Sequence, residues 1–308
     1  MKLITNLKNK NFDFVRYGRW FYIAPAIILA FGILMLAIFG LNLGLDFTGG
    51  TIVKVNADGE YSKAEIQDKM DDYNVKYTIT KEQSTSGGNT FSIKFNAEDK
   101  TNDITTELES YFEDDFIEYT TSTDTTIKET VMTVFWSILA ALGALIIYML
   151  IRFKFTAGMA TILALMHDVL MIGALMAIFQ IEINASFIAA VLTVMAYSIN
   201  NSLVVFDRIR TLEKNNTENH KLDYLVNKSI NSTLGRSILT MATTLGTLLV
   251  LTVISLIMQL STLIEFALPI VFGLLAGTYS SLFLIAPLYM QFETARLLTK
   301  QRKINVQK

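Results

Sequence analysis

Six predominantly apolar runs divide this chain of 308 residues: Trp20 to Leu41, Thr130 to Ile151, Thr156 to Phe179, Phe187 to Phe206, Ile238 to Met258 and Leu263 to Tyr289. Each is about the ~20 residues that a helix needs to cross the hydrocarbon of a bilayer. The pattern predicts a multi-pass α-helical membrane protein with six transmembrane helices. The first run reads as a retained anchor, because its apolar core is too long for a cleavable signal and no small-residue cleavage pattern precedes Asn42.

Only the segment between the first and second runs is long enough to fold in water. There the period changes. Thr51 to Val55 alternates like a strand, and Ser62 to Tyr73 carries Ala64, Ile66 and Met70 at helical spacing behind a Ser cap. Asn74 to Thr80 and Asn89 to Phe95 predict two strands joined by the loop Ser84 to Asn89; Thr101 to Phe112 predicts a helix and Phe116 to Thr121 a last strand. The order βαββαβ is that of a ferredoxin-like α+β unit. The organisation expected is an N-terminal segment at 1–19, a first helix at 20–42, an outer ferredoxin-like domain at 43–127, helices two to six at 128–290 and a basic tail at 291–308. The domain starts with Leu43-Gly44-Leu45-Asp46-Phe47-Thr48-Gly49-Gly50-Thr51. Paired glycines free the backbone, and Asp46 can cap the turn between helix and strand. Without a lysine or a strand-to-helix setting, this is no phosphate loop.

The net charge of −2 conceals an asymmetry. Basic residues collect in the amino terminus (Lys2, Lys8, Lys10, Arg16, Arg19), at Arg152 to Lys154, in the loop Asp207 to Arg236, and in the tail (Arg296, Lys300, Arg302, Lys303, Lys308). Those segments share one side of a six-helix topology, which the positive-inside rule makes cytoplasmic, with both termini inside. The outer segment is acidic, so nucleic acid is excluded as a ligand, since phosphates require a basic patch. The chain has no cysteine and so no disulfides.

Candidate chemistry lies where polar residues interrupt the spans. The fourth carries Tyr197, Ser198, Asn200, Asn201 and Ser202 about two turns before the boundary charges Asp207, Arg208 and Arg210. Amides and hydroxyls in hydrocarbon require partners or a wet path, so they read either as the lining of a transport path or as glue between helices. In the third span His167 and Asp168 lie about 16 Å in at 1.5 Å per residue. They fit either a proton relay or a helix-to-helix hydrogen-bonded pair. Arg236 opens the fifth span as a fixed charge or a snorkelling anchor. Asp223 to Ile238 has the spacing of an amphipathic helix on the inner surface. Gly273, Ala276, Gly277, Ser280 and Ser281 give the sixth span a packing face.

Taken together and in this order, Leu45-Asp46-Phe47-Thr48-Gly49-Gly50, His167-Asp168-Val169, Tyr197-Ser198-Ile199-Asn200, Val204-Val205-Phe206-Asp207-Arg208-Ile209-Arg210, Ser229-Ile230-Asn231 with Arg236, and Gly277-Thr278-Tyr279-Ser280-Ser281 resemble the SecD/SecF family, in its smaller SecF-type members. The resemblance covers nearly the whole chain. It implies one half of a resistance-nodulation-division architecture in the bacterial cytoplasmic membrane, completed by SecD. It also implies a proton or sodium gradient that helps draw an exported polypeptide outward after the SecYEG channel and SecA. No covalent chemistry, cofactor or metal is implied, and the partners are protein and membrane lipid. By the same resemblance Tyr197, Ser198, Asn200, Asn201, Ser202, Arg236, Asp168 and His167 are ion-path candidates, and Asp46, Gly49, Gly50, Asp207 and Arg208 coupling or structural ones.

Two departures qualify what the resemblance implies. The family's fourth-span motif places an acid where this chain has Asn201 and a threonine at Ser202, and an amide cannot carry a proton. Three readings stay open: SecD supplies the acid and Asn201 orients it, Asp168 beside His167 serves instead, or sodium is the coupled ion. The family's Val-Gly-Pro-type turn is also absent, since Thr120 to Lys128 holds neither Gly nor Pro. Two other functions compete: a non-conducting scaffold for SecD or the channel, and a half-size exporter of lipids or drugs.

Overall fold

A helix that is apolar on every side is stable where lipid or protein surrounds it, and the elements follow that logic. The computed structural model describes residues 12–57, 61–83, 88–96, 101–122, 124–258 and 260–306. Lys2, Lys8, Lys10, Lys308 and the loop residues 84–87 lie outside the described residues.

In chain order the elements are α1 (Ile23–Phe39), α2 (Leu45–Thr48), β1 (Gly50–Asn56), α3 (Lys63–Asp71), β2 (Tyr77–Gln83), β3 (Asn89–Phe95), α4 (Thr101–Phe112), β4 (Phe116–Ser122), α5 (Asp124–Arg152), α6 (Phe155–Phe179), α7 (Ala185–Lys214), α8 (Leu222–Ile257), α9 (Ser261–Tyr279) and α10 (Ile285–Val306). A π-helical turn, Ser280–Leu284, joins α9 to α10. Among the described residues six helical segments are long and apolar enough to cross a membrane, as the hydropathy pattern predicts. Their burial differs sharply. Of the apolar window of the span containing α5 only 6% is buried, whereas for the span formed by α9 and α10 it is 72%. The former is therefore at the periphery of this chain's bundle and the latter at its centre.

Between α1 and α5 the four strands form an antiparallel sheet in the order β2-β3-β1-β4, the arrangement of a split βαβ unit. Val53, at the middle of β1, pairs with Ile93 on one side and Tyr119 on the other. It is buried together with Ile66 and Met70 of α3 and Leu108 and Phe112 of α4, which cover one face of the sheet. Ser62 caps α3 in a full capping box, its backbone N–H donating to Glu65 Oε2 at 2.6 Å. That bond and the Ser62 hydroxyl hold the Glu65 carboxyl below its usual range.

Four sequence expectations are corrected. The second strand begins at Tyr77 rather than Asn74, because Asn74 takes a left-handed turn (φ 52°) after α3. Arg236 does not open a helix, and Asp223 to Ile238 is no separate surface helix: both lie within the single 36-residue α8. The polar residues there do not break the helix because they satisfy themselves on it. Ser229 Oγ donates to the Leu225 carbonyl at 2.7 Å and Thr233 Oγ1 to that of Ser229 at 3.0 Å. Finally, α5 starts at Asp124, with one residue separating it from β4.

Candidate functional site

Asp168 lies at mid-span of α6, about 20 Å from its start at 1.5 Å per residue, and its side chain has 0% exposure. Three hydrogen-bonding groups surround it. Ser198 Oγ of α7 donates to Oδ2 at 2.5 Å, Ser280 Oγ donates to the same oxygen at 2.9 Å, and His167 Nδ1 lies 3.0 Å from Oδ1. Local sequence explains how the helices come this close. A Cβ on Gly277 would stand 3.0 Å from that of Ser198, and one on Gly273 would stand 2.3 Å from Val194 Cγ2. Small residues thus let α9 lie against α7. Ser280 opens the π-helical turn, a distortion frequent at functional sites because it re-aims side chains within a helix. The arrangement is chemically versatile: a carboxyl group takes up or releases a proton, and each hydroxyl serves as donor or acceptor.

The polar run of α7 divides between two faces. Ser198, Asn201 and Ser202 face the bundle and are buried, and Ser202 Oγ donates to the Ser198 carbonyl at 3.0 Å. Tyr197 is half-buried, and Asn200 is exposed on another side. Tyr197 Oη, Asn201 Nδ2, His167 Nε2 and Thr278 Oγ1 are buried polar atoms with no hydrogen-bond partner among the described residues.

Arg236 is not brought to Asp168. It is exposed, makes no ion pair among the described residues, and lines an open cleft of about 490 Å³ with Arg152, Asp207, Arg208, Ser232 and Thr233. Asp207 there faces Arg152 at 3.6 Å, and Arg208 Nε donates to Ser232 Oγ at 3.2 Å. Along α7 this cluster stands nine residues beyond Ser198, roughly 14 Å.

At the other end of the bundle, Gly49 and Gly50 adopt positive φ (74° and 131°), and a Cβ on Gly50 would meet the Phe95 carbonyl at 2.7 Å. The tight turn expected there is the one seen. Asp46 reaches beyond its own turn: its Oδ2 accepts the backbone N–H of Ala185, the first residue of α7, at 2.8 Å. Lys94 of β3 reaches the same turn, donating to both carboxylate oxygens of Glu182 at 3.0 and 2.9 Å. Sequence reasoning did not select Ser280, Lys94 or Glu182 as site residues. By sequence Ser280 reads as part of the small-residue packing face of the sixth span.

The chain as a whole has known relatives. The family model for the C-terminal part of the protein export membrane proteins SecD/SecF matches residues 101–295, and that for the SecD/SecF GG motif matches 34–59. The SecF protein translocase subunit of Petrotoga mobilis is 32% identical, over 94% of this chain and 99% of that one. The SecDF protein translocase subunit of Bacillus subtilis is 29% identical over 94% of this chain but only 39% of its own length. Crystal structures agree: SecDF from Thermus, described as a translocon-associated membrane protein, superposes with a TM-score of 0.76 at 29% identity, covering 93% of this chain and 39% of that one. Another SecDF structure, in its super-membrane-facing form, gives 0.67 over 96% of this chain and 40% of that one. With one family model covering well over half its length and a full-length SecF relative above 30% identity, the chain belongs to the SecD/SecF family of protein-export membrane proteins, in the position of the SecF half.

Proposed function

We propose that this chain works in the bacterial cytoplasmic membrane, both termini inside, as the SecF half of an export motor. It pairs with SecD and uses the transmembrane ion gradient to promote late steps of polypeptide translocation after SecYEG and SecA. It makes and breaks no covalent bonds. Family membership and the fused SecDF relatives support the pairing. The observation that carries the ion step is Asp168, a fully buried carboxyl that accepts hydrogen bonds from Ser198 and Ser280 on two other helical segments. Asn201 cannot titrate, so Asp168 is the ion-responsive group of this half.

The decisive measurement is release of an exported protein from vesicles holding SecYEG, SecA, SecD and this chain, with and without an imposed ion gradient. Asp168→Asn removes the gradient-dependent increment and leaves gradient-independent release intact. Asn201→Asp keeps the increment. If Asp168→Asn responds to the gradient as the unaltered chain does, Asp168 is a structural pair. A second reading then applies, favoured by the unpartnered buried amide of Asn201: SecD carries the acid, Asn201 orients it, and Asn201→Leu is the variant that loses the increment.

A further inference from the structure

The turn between α6 and α7, residues 180–184, is gripped from the outer domain by several independent contacts. Asp46 accepts the N–H of Ala185, one of the amides a helix start leaves without an internal partner, and its charge lies at the positive end of the α7 dipole. The main chain is laddered: Gly44 N–H donates to the Ile183 carbonyl and Ile183 N–H to that of Asn42, both at 2.8 Å, giving a parallel bridge between Leu43 and Ile183. Asn42 Nδ2 donates to the Gln180 carbonyl at 2.9 Å. From the sheet itself, Lys94 holds Glu182. Asn184 caps α7 through the Phe187 N–H and donates to Glu265 of α9.

This turn is the covalent link between the helix that carries Asp168 and the helix that carries Ser198. The domain's own covalent exit runs into α5, whose span buries least in the bundle. A shift of α6 against α7 at Asp168 therefore reaches the sheet through residues 180–184 rather than through α5. We infer that this turn, held by Asp46 and by the Lys94–Glu182 pair, is the joint that transmits rearrangement at Asp168 to the outer domain. Asp46, Lys94 and Glu182 act as positioning residues, not as ion carriers. This inference rests on the ion-driven reading above.

Charge reversal tests it in the full chain with SecD, in the same vesicles. Lys94→Glu and Glu182→Lys each reduce the gradient-dependent increment by about fivefold, the scale of one partly exposed ion pair, while gradient-independent release and melting temperature stay unchanged. The double variant K94E/E182K recovers the increment. A spin-label pair, one label in the outer domain and one on α9, shows a gradient-driven distance change in the unaltered chain and the double variant but not in the single variants. Single variants that behave as the unaltered chain overturn the joint, as does a double variant that fails to recover while melting normally. Loss of the increment in Asp46→Ala with an unchanged melting temperature supports it. An unaltered chain with no gradient-dependent increment sinks the export reading itself, and the joint with it. An increment that survives all these substitutions sinks only the joint.

Discussion

Asp168 depends on two hydroxyls from different parts of the chain, 30 and 112 residues away. Hydrogen bonds to charged groups are worth about 1.5–3 kcal/mol in soluble proteins. Interhelical ones in membranes average only about 0.6 and reach about 1.7, because the unfolded chain in lipid also finds partners. The membrane figures apply at this site, so Ser280→Ala is expected to destabilise the bundle by about 0.6–1.7 kcal/mol, measured by unfolding in mixed micelles. A larger loss would mean the carboxylate finds no replacement donor. The link from Asp168 to the fourth span was legible in the sequence as a helix-to-helix pair. Ser280 was not, because a serine in a stripe of small residues looks the same whether it fills space or donates a hydrogen bond. Lys94 and Glu182 had no local signature at all: their pairing spans 88 residues and exists only once the sheet stands on the bundle.

At the level of elements, the hydropathy pattern identified every span, and alternation identified the sheet, because both signals are local and strong. What escaped was where a polar stretch ends a helix. In α8 the hydroxyls bond back to carbonyls one turn earlier, so the helix passes through a segment whose hydropathy alone suggests a boundary. Close packing makes a sharper prediction. With Val194 Cγ2 only 2.3 Å from where a Cβ on Gly273 would stand, Gly273→Ala forces α9 off α7 and costs about 1–3 kcal/mol, as overpacked cores do. Thermal unfolding against Gly143→Ala, where nothing lies within 4 Å, checks it. The outer domain should respond to pH through its caps. Glu65 is lowered by its bonds to Ser62, and Glu107 by Lys69 of α3, while Lys69 is raised by Glu107. The carboxylate contributions are therefore present above about pH 4.3 and lost as pH falls through the lowered folded values; that of Lys69 is lost only above about pH 10.4. Hydrogen exchange of the α3 amides in the full chain should show protection falling faster on acidification in the unaltered chain than in Glu65→Gln, which keeps a capping side chain without the charge.

Taken whole, the chain covers 39% of the SecDF structure it resembles, and one of its central helices keeps an exposed line of residues. Thr193, Ala196, Asn200, Asp207 and Thr211 form an exposed stripe along α7, a helix otherwise at the heart of the bundle. We expect SecD to cover this stripe. Since the chain has no cysteine, single cysteines at Ala196 or Asn200 should cross-link to SecD in vesicles, whereas one at the buried Met195 should not. The sequence showed Asn200 and Asn201 as one polar patch; only the helix rotation separates an outward residue from an inward one.

The segment before α1 is stapled to α8: Phe12 N–H donates to Asn231 Oδ1 and Val15 N–H to Asn227 Oδ1, each at 3.1 Å, and Asn227 Nδ2 donates to Asp13 at 2.7 Å. The partners are 212 to 219 residues apart. At a synthesis rate of about 5–20 residues per second, the first span leaves the ribosome roughly 10–40 s before the helix that fastens its N-terminal end exists. Until then α1 can pack only on helices already made, such as α6, where Gly32 lies against Ala174, and the staple closes only when α8 arrives.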